Sequence, residues 1–470
     1  MMPDRNDKKK APVFTLVAVG VFMCTLDGSI VNIALPVIMR DLDTTLSRIE
    51  WVVLIYLFTV SSLLLSFGRL SDIKGRRWVQ TRGLFLFSAG SLLCAMSDDV
   101  LFLIVSRCIQ GIGASMIMAC SPAIIMDIFH KHERGKALGM IGAVVALGLS
   151  VGPALGGLIL KWFSWRTIFY INIPIGIAAF FFAAHLLKGG KTDISKKEAF
   201  DWAGGSLLAL CLGSLLFALT HGYGWGYDSK PFILTLLFFL VTLILTAVVE
   251  SRVEFPVIEL SLLTIRLFIL PVIAAVIIFG SLFIMVFLMP FYLMYPGGYT
   301  VTQAGNIMVT LFIALLFVSP AAGSISDRIG SRLLCTIGMA ILCLSFVFMS
   351  RLPPAAPSLS IAWRLALAGI GTAVFLSPNS AVTMNSAPAN YRGIAAAFVA
   401  MARNTGMVFG VAIAGAIFNS VFYKLSGGLS LKVYTPELQG AFMVSFHMAM
   451  SAGAVLSGIG IVVAFMRGPG

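Results

Sequence analysis

The sequence is short of charge, and shorter still of acid. Of its 470 residues only 11% are charged and 59% are hydrophobic, and 20 Asp and Glu stand against 33 Lys and Arg. Soluble domains carry about a quarter charged residues, so a water-soluble globular fold is excluded. Disorder is excluded too, because 36 Phe and long aliphatic runs leave no weakly hydrophobic stretch of domain size. The seven cysteines (Cys24, Cys94, Cys108, Cys120, Cys211, Cys335 and Cys343) lie in apolar runs with no CxxC pair. They read as small buried hydrophobes rather than disulfides or metal ligands. No P-loop is present: Gly190-Lys191-Thr192 comes nearest, but His185 stands where the motif needs Gly. GxSxG, HExxH and any polar segment long enough for a soluble catalytic domain are also missing. These absences argue against an enzyme and against ATP-driven transport by this chain alone. What remains, with a mean hydropathy of +0.97, is a polytopic membrane protein. Its net charge of +13 is then a matter of topology, and no nucleic-acid partner is needed to explain it.

A transmembrane helix takes about 20 mostly apolar residues, and fourteen segments qualify: 13–38, 51–70, 80–97, 100–126, 137–161, 167–187, 203–221, 231–250, 268–294, 304–323, 333–350, 361–386, 394–422 and 441–466. The first run is too long for the apolar core of a signal peptide and no small-residue cleavage site follows it, so it reads as a retained helix. Sorting the basic residues tests the orientation. With the N-terminus inside, 22 of the 33 Lys and Arg fall on the cytoplasmic side, eight outside, and three (Arg107, Arg364 and Arg403) within spans. That bias predicts both termini in the cytoplasm.

The two halves echo each other. Gly68-Arg-Leu-Ser-Asp72-Ile-Lys-Gly75-Arg76-Arg77 returns as Gly323-Ser-Ile-Ser-Asp327-Arg328-Ile-Gly330-Ser-Arg332, an offset of 255. At an offset of 258, Gly111-Ile-Gly113 matches Gly369-Ile-Gly371, Arg134-Gly135 matches Arg392-Gly393, and Gly148-x3-Gly152 matches Gly406-x3-Gly410. Ordered matches at near-constant offset mark a duplication. The predicted fold is therefore all-α, with fourteen transmembrane helices in two six-helix bundles and helices 7 and 8 inserted between them. The segments are a tail 1–12, a bundle 13–187, a linker 188–267 with the two extra helices, a bundle 268–466 and a tail 467–470. Parallel repeats of this kind are a transporter architecture, with the site near the midplane between them.

Several motifs narrow this further. They are Leu26-Asp27-Gly-Ser-Ile-Val-Asn32-Ile-Ala-Leu-Pro36, the loop Gly68 to Arg77, Arg107-x2-Gln110-Gly111-x-Gly113, Gly139-x8-Gly148-x3-Gly152-Pro153-x2-Gly156-Gly157, and Trp165-Arg166-x2-Phe169-x2-Asn172-x-Pro174-x-Gly176. On these the chain resembles the major facilitator superfamily, in particular its fourteen-helix branch of drug:proton antiporters, over about residues 13–466. The resemblance implies a proton carrier at Asp27, proton exchange assisted by Arg107, export by antiport through the helix 5 motif (Gly148, Gly152, Pro153, Gly156, Gly157), and a multi-pass place in a prokaryotic cytoplasmic (inner) membrane. One departure stands out: Ile73 occupies the place after Asp72 where the family has Arg, whereas the second copy keeps Arg328.

Residue by residue, Asp27 reads as the only acid deep inside a span. A carboxylate at the bilayer centre costs roughly 2.5–3.5 kcal/mol on insertion scales and needs a partner, water or a proton. Burial disfavours its charge and a nearby cation favours it, so a moving partner makes the site titratable. Arg107 is the natural partner: Asp27 lies roughly 16 Å and Arg107 roughly 10 Å from the same side of the bilayer. Gln110, one turn on, shares the face of Arg107. Arg403, whose first-half counterpart is Val145, either faces the cavity as a second cation or pairs with carbonyls at a helix break. Asn32, Tyr56, Gln110, Asn379 and Arg403 form the candidate substrate set, with Phe279, Phe283 and Phe287 as an aromatic stripe. Gly68, Asp72, Gly75, Arg76, Asp127, Arg134, Asp327 and Arg328 form a gate. In it Asp72 meets a helix N-terminus of the other bundle and Arg76 bridges to Asp127.

The sequence thus predicts a proton-coupled exporter of lipophilic, cationic drugs that works by alternating access, with no cofactor beyond the proton gradient. Its partners are a small lipophilic substrate, protons and membrane lipid, without nucleic acid, and the chain is a monomer. A selective proton-coupled transporter of an organic anion, metabolite or lipid is the alternative, as is a non-transporting sensor with a transporter fold.

Overall fold

The computed structural model describes residues 7–130, 133–187, 202–226, 228–253, 260–388 and 392–468. Among them no strand occurs. The first half runs α1 (Asp7–Asp41), α2 (Leu46–Lys74), α3 (Arg76–Ala95), α4 (Val100–Ile128), α5 (Arg134–Trp162), α6 (Thr167–Tyr170) and α7 (Asn172–Leu186). Two further helices, α8 (Trp202–Trp225) and α9 (Lys230–Glu250), and a short α10 (Leu260–Leu263) lead to the second half. That half comprises α11 (Arg266–Met294), α12 (Val301–Ile329), α13 (Ser331–Met349), α14 (Ser358–Ser386), α15 (Arg392–Leu425) and α16 (Gln439–Met466). The sixth predicted span is α6 and α7 together. Pro174 has no N–H to give the Tyr170 carbonyl, and the helix is interrupted at Ile171.

Thirteen helices are long and apolar enough to cross a membrane among the described residues. The remaining long helix, α3, is less apolar, with Arg76, Arg77, Gln80 and Arg82 in its first two turns. Those cations are placed at its end: Arg77 donates to the Ala184 carbonyl at 2.6 Å, and Arg82 lies over the Trp78 ring at 3.9 Å. Apolar side chains on the outside identify the solvent. On α9, Leu234, Leu237, Phe238 and Ile244 are all exposed, a surface that suits lipid and not water.

The duplication is visible as repeated packing. Gly75 and Gly330 break α2 from α3 and α12 from α13 with nearly equal positive φ, 92° and 86°, a conformation that costs L side chains strain. In the first half Gly111 lies against Thr59 of α2 and Gly113 against Phe87 of α3; in the second, Gly369 lies against Leu311 of α12 and Gly371 against Gly338 of α13. Helix α5 lies against α1 through Gly148, Gly152 and Gly156, which face Thr25, Ser29 and Ile30, while Gly406 and Gly410 put α15 against α11 in the same way. Ser29 donates to the Gly148 carbonyl at 3.0 Å across the first of these seams.

The bundles meet along α5–α12 and α2–α15. Thr302 donates to the Gly157 carbonyl at 3.0 Å, Ser150 to the Phe312 carbonyl at 3.2 Å, and Lys432 pairs with Asp43 at 2.7 Å. Arg40 also lies over the Tyr295 ring at 4.9 Å. Together these links run from mid-depth to the face opposite the chain termini.

A methyl group built on Gly152 would collide with Ser29, whereas one on Gly142 meets nothing within 4 Å. Gly152→Val should therefore lower stability by about 1–3 kcal/mol through overpacking, with Gly142→Ala neutral. Thermal unfolding of the purified protein in detergent compares the two, and equal Tm values would refute the close α1–α5 seam.

Candidate functional site

The scarcest residue type in the membrane interior anchors the site. Asp27 sits midway along α1 and Arg107 near the third turn of α4, neither with exposed surface. Arg107 Nη1 donates to Asp27 Oδ2 and, at 2.6 Å, to Gln110 Oε1. Gln110 Nε2 returns a bond to Asp27 Oδ1 at 2.9 Å and another to Ser91 Oγ at 2.7 Å. Asn172, at the start of α7, donates to Asp27 Oδ1 at 3.1 Å and to Ser91 at 3.4 Å. The guanidinium also donates from Nε to the Val52 carbonyl of α2 at 3.0 Å and lies over the Tyr56 ring at 4.1 Å. Four elements of the first half besides α1 thus converge on one carboxylate. Arg107 Nη2 has no hydrogen-bond partner and is buried.

Close approach makes this possible. A methyl group on Gly90 of α3 would strike the backbone of Gln110, so only glycine lets α4 come near enough to hand Gln110 to Ser91. In a low-dielectric interior an ion pair survives only if its remaining donors and acceptors are met. Neutral amides, a hydroxyl and a backbone carbonyl meet all of them here but Arg107 Nη2, without adding charge. Each bond to a charged group is worth about 1.5–3 kcal/mol.

A narrow cavity adjoins the network between the bundles. Thr25, Gly28, Tyr56, Leu57, Val145 and Leu149 line it from the first half, and Phe283, Arg403, Asn404 and Met407 from the second. The repeat reappears at its wall, since Val145 and Arg403 are equivalent at an offset of 258, as are Leu149 and Met407. Arg403 is the only charged residue among those lining it. The cavity measures about 30 Å³, room for two or three waters at roughly 10–15 Å³ each. A drug-sized molecule needs about 300 Å³ or more, so the helices must part to admit one.

Of the predicted substrate set, Tyr56 and Arg403 line the cavity, and Gln110 lies behind Tyr56 in the charge network. Asn32 and Asn379 do not line it. Asn32 bonds back to the Gly28 carbonyl at 2.9 Å. Asn379 donates to the Pro271 carbonyl at 3.0 Å and accepts from Arg467 at 3.4 Å. Arg467 is itself only 2% exposed, packed inside the second half rather than lying free in a tail. Phe283 alone of the aromatic stripe reaches the cavity. In the loop after α2, Arg76 pairs with Asp127, donates to the Ala123 carbonyl at 2.6 Å and lies 3.9 Å from Asp72. Gly68 is near nothing that a methyl group would touch, and Arg328 is exposed. The side chains of Arg134 and Asp327 lie outside the described set. Trp165 and Arg166 both bond Asp41 of α1, at 2.7 and 3.0 Å, and Arg166 reaches Asp98 beyond α3 at 3.2 Å.

Two features escape the sequence reading. Ser91 is one of many serines in apolar runs and carries no motif. Glu50 is a second buried acid, 1% exposed, missed because α2 begins at Leu46 rather than at residue 51. It lies in the first turns of α2, near the end of a span, whereas Asp27 lies at the middle of one.

Removing Gln110 strips the carboxylate of one donor and the guanidinium of one acceptor. Gln110→Ala should cost roughly 1.5–3 kcal/mol or more and exceed Ser91→Ala, which loses neutral bonds of about 1 kcal/mol. Thermal unfolding ranks them, and a Gln110→Ala protein as stable as the native one would count against the network.

Comparison with known proteins agrees with this architecture. The family model of the Major Facilitator Superfamily matches residues 17–411 and again 271–469. The riboflavin transporter RibZ of Clostridioides difficile is 34% identical over 461 residues, 98% of either chain. Multidrug resistance protein 3 of Bacillus subtilis is 31% identical, covering 86% of this chain and 78% of its own. Among solved structures, a bacterial homologue of the human lysosomal transporter Spinster, inward-facing and unoccupied, aligns with a TM-score of 0.69 at 13% identity, over 98% of this chain and 97% of its own. With a duplicated all-helical fold and a family match that spans nearly its whole length, the chain belongs to the Major Facilitator Superfamily and is a membrane transporter, not an enzyme.

Proposed function

We propose that the chain exchanges protons for a lipophilic small molecule by alternating access, as a monomeric exporter in the cytoplasmic membrane with both termini inside. The observation that carries this reading is the buried Asp27–Arg107 pair behind the Tyr56 wall of the cavity. A proton on Asp27 would remove the charge that holds Arg107, and a substrate arriving at Tyr56 meets the ring on which that guanidinium lies. Proton and substrate would thereby compete for one arrangement of α1, α2 and α4. The bundles 13–187 and 268–466 rock as units in this scheme, joined by 188–267. The Arg76–Asp127 pair steadies the cytoplasmic end, and the α5 glycines let α5 slide between α1 and α12.

For the substrate, the cavity favours an aromatic molecule that is neutral or anionic over the lipophilic cation read from the sequence. Asp27 is already matched by Arg107, and Arg403 makes no ion pair with a described residue, so the wall carries one uncompensated positive charge. Tyr56 and Phe283 offer aromatic faces, and Asn404 and Thr25 polar ones. A relative named for riboflavin fits a planar aromatic substrate. Relatives named for multidrug resistance support the second reading, a broad range of lipophilic cations, which suits a mostly apolar lining.

Reconstituted vesicles test both parts. In an imposed proton gradient, Asp27→Asn should abolish uphill substrate movement while the protein remains folded; coupling that persists would remove Asp27 as the carrier. With ethidium, riboflavin and fluorescein as cationic, neutral and anionic probes, Arg403→Ala should lower fluorescein transport at least tenfold, about 1.4 kcal/mol, and spare ethidium. The opposite pattern would restore the cation reading.

A further inference from the structure

Glu50 is used by none of the interactions above. It lies in the first turns of α2, 1% exposed, on the side that meets α15, where its carboxylate rests against Gly415. A methyl group at position 415 would overlap Oε2, so glycine there makes the room the carboxyl occupies. Oε2 has no hydrogen-bond partner, and Glu50 makes no ion pair with a described residue. Two turns along the same face of α2, about 10 Å away, Leu57 lines the cavity. The carboxyl therefore forms part of the roof that closes the cavity on the face opposite the termini.

The charges on every helix packed against α2 are engaged or remote. On α1, Arg40 lies over Tyr295, Asp41 is bonded to Trp165 and Arg166, and Asp27 is held by Arg107. On α4, Arg107 meets α2 at Val52 and Tyr56 and is held by Asp27. His221 of α8 lies against Trp51, ring centres 5.8 Å apart. On α15, Arg403 lines the cavity and Lys424 is exposed near the helix end, while Arg76, Arg77 and Arg82 of α3 are at the far end of α2. An unpaired carboxylate in such a site is very unfavourable, and a neutral acid far less so. Once α2 and α15 part, water reaches the group and the charged form becomes acceptable.

We propose that Glu50 is a second proton-binding group of the transport cycle, protonated when α2 and α15 are closed on that face and ionised when they open. The proposal rests on the alternating-access reading above and adds a proton site at the seal, separate from the Asp27 network. It predicts that raising the pH favours opening of that face through Glu50 alone.

Spin labels at Arg48→Cys and Lys424→Cys, both exposed at the α2 and α15 ends, report the separation in a full-length chain whose seven cysteines are replaced by Ala. With native Glu50 the distance should lengthen between about pH 5 and pH 9, and it should still do so when Asp27→Asn is added. In Glu50→Gln it should remain short throughout, and in Glu50→Asp the response should return. A pH response unchanged in Glu50→Gln, or lost equally in Glu50→Asp, would overturn the proposal. If riboflavin or ethidium then still moves the labels, alternating access stands without Glu50. If neither probe nor pH moves them, the alternating-access reading falls as well.

Discussion

A carboxylate and a guanidinium buried together in the membrane interior hold only if their remaining hydrogen-bonding groups are met nearby. Gln110, Asn172 and the Val52 carbonyl meet all of those of Asp27 and Arg107 but Arg107 Nη2, with Ser91 holding the two amides in turn. The requirement is geometric as much as electrostatic. Helices α1, α2, α3, α4 and α7 must all present particular atoms at one depth, which leaves little freedom in how the first bundle is assembled. Gly90 serves the same end, since it lets α3 and α4 approach closely enough for Gln110 to reach Ser91, while Gly148 and Gly152 seat α5 on α1.

The duplication divides scaffold from chemistry. Equivalent glycines make equivalent contacts in both halves, and the helix breaks at Gly75 and Gly330 share a backbone conformation. The charge pair has no such echo. At an offset of 258, Arg107 and Gln110 correspond to Leu365 and Ala368, both buried among apolar neighbours. One bundle carries the ionisable network and the other faces it with Arg403 across the cavity. Because the two walls differ in charge, a substrate between them meets an oriented environment even though the backbones are related by a repeat.

Charge was legible in the sequence because it is so rare there. Asp27, Arg107 and Arg403 stand out against apolar runs, and a solvent that penalises every ion makes each survivor informative. Neutral polar residues were not legible in the same way. Serines and asparagines recur throughout the spans, and many bond only to their own helix, as Asn32 does with Gly28. Periodicity tells which residues share a face but not which neighbour that face meets. Ser91 in the network and Asn379 beside Arg467 could therefore be sorted only by packing. Glu50 was hidden by a boundary: the apolar run begins at Trp51, but the helix begins a turn earlier and carries the acid inside.

The sequence by itself determined that the chain lies in a membrane, that it is all-α, that it is duplicated, and that its few intramembrane charges are the place to look. Each of these follows from composition or from local periodicity, which need no knowledge of neighbours. Only the tertiary structure decided that Asp27 and Arg107, 80 residues apart, are already in contact, that Asn172 and Ser91 complete their shell, and that Glu50 closes against Gly415. Those facts depend on how closely particular helices approach, and that distance is set by glycines such as Gly90 and Gly415, whose partners lie on other helices.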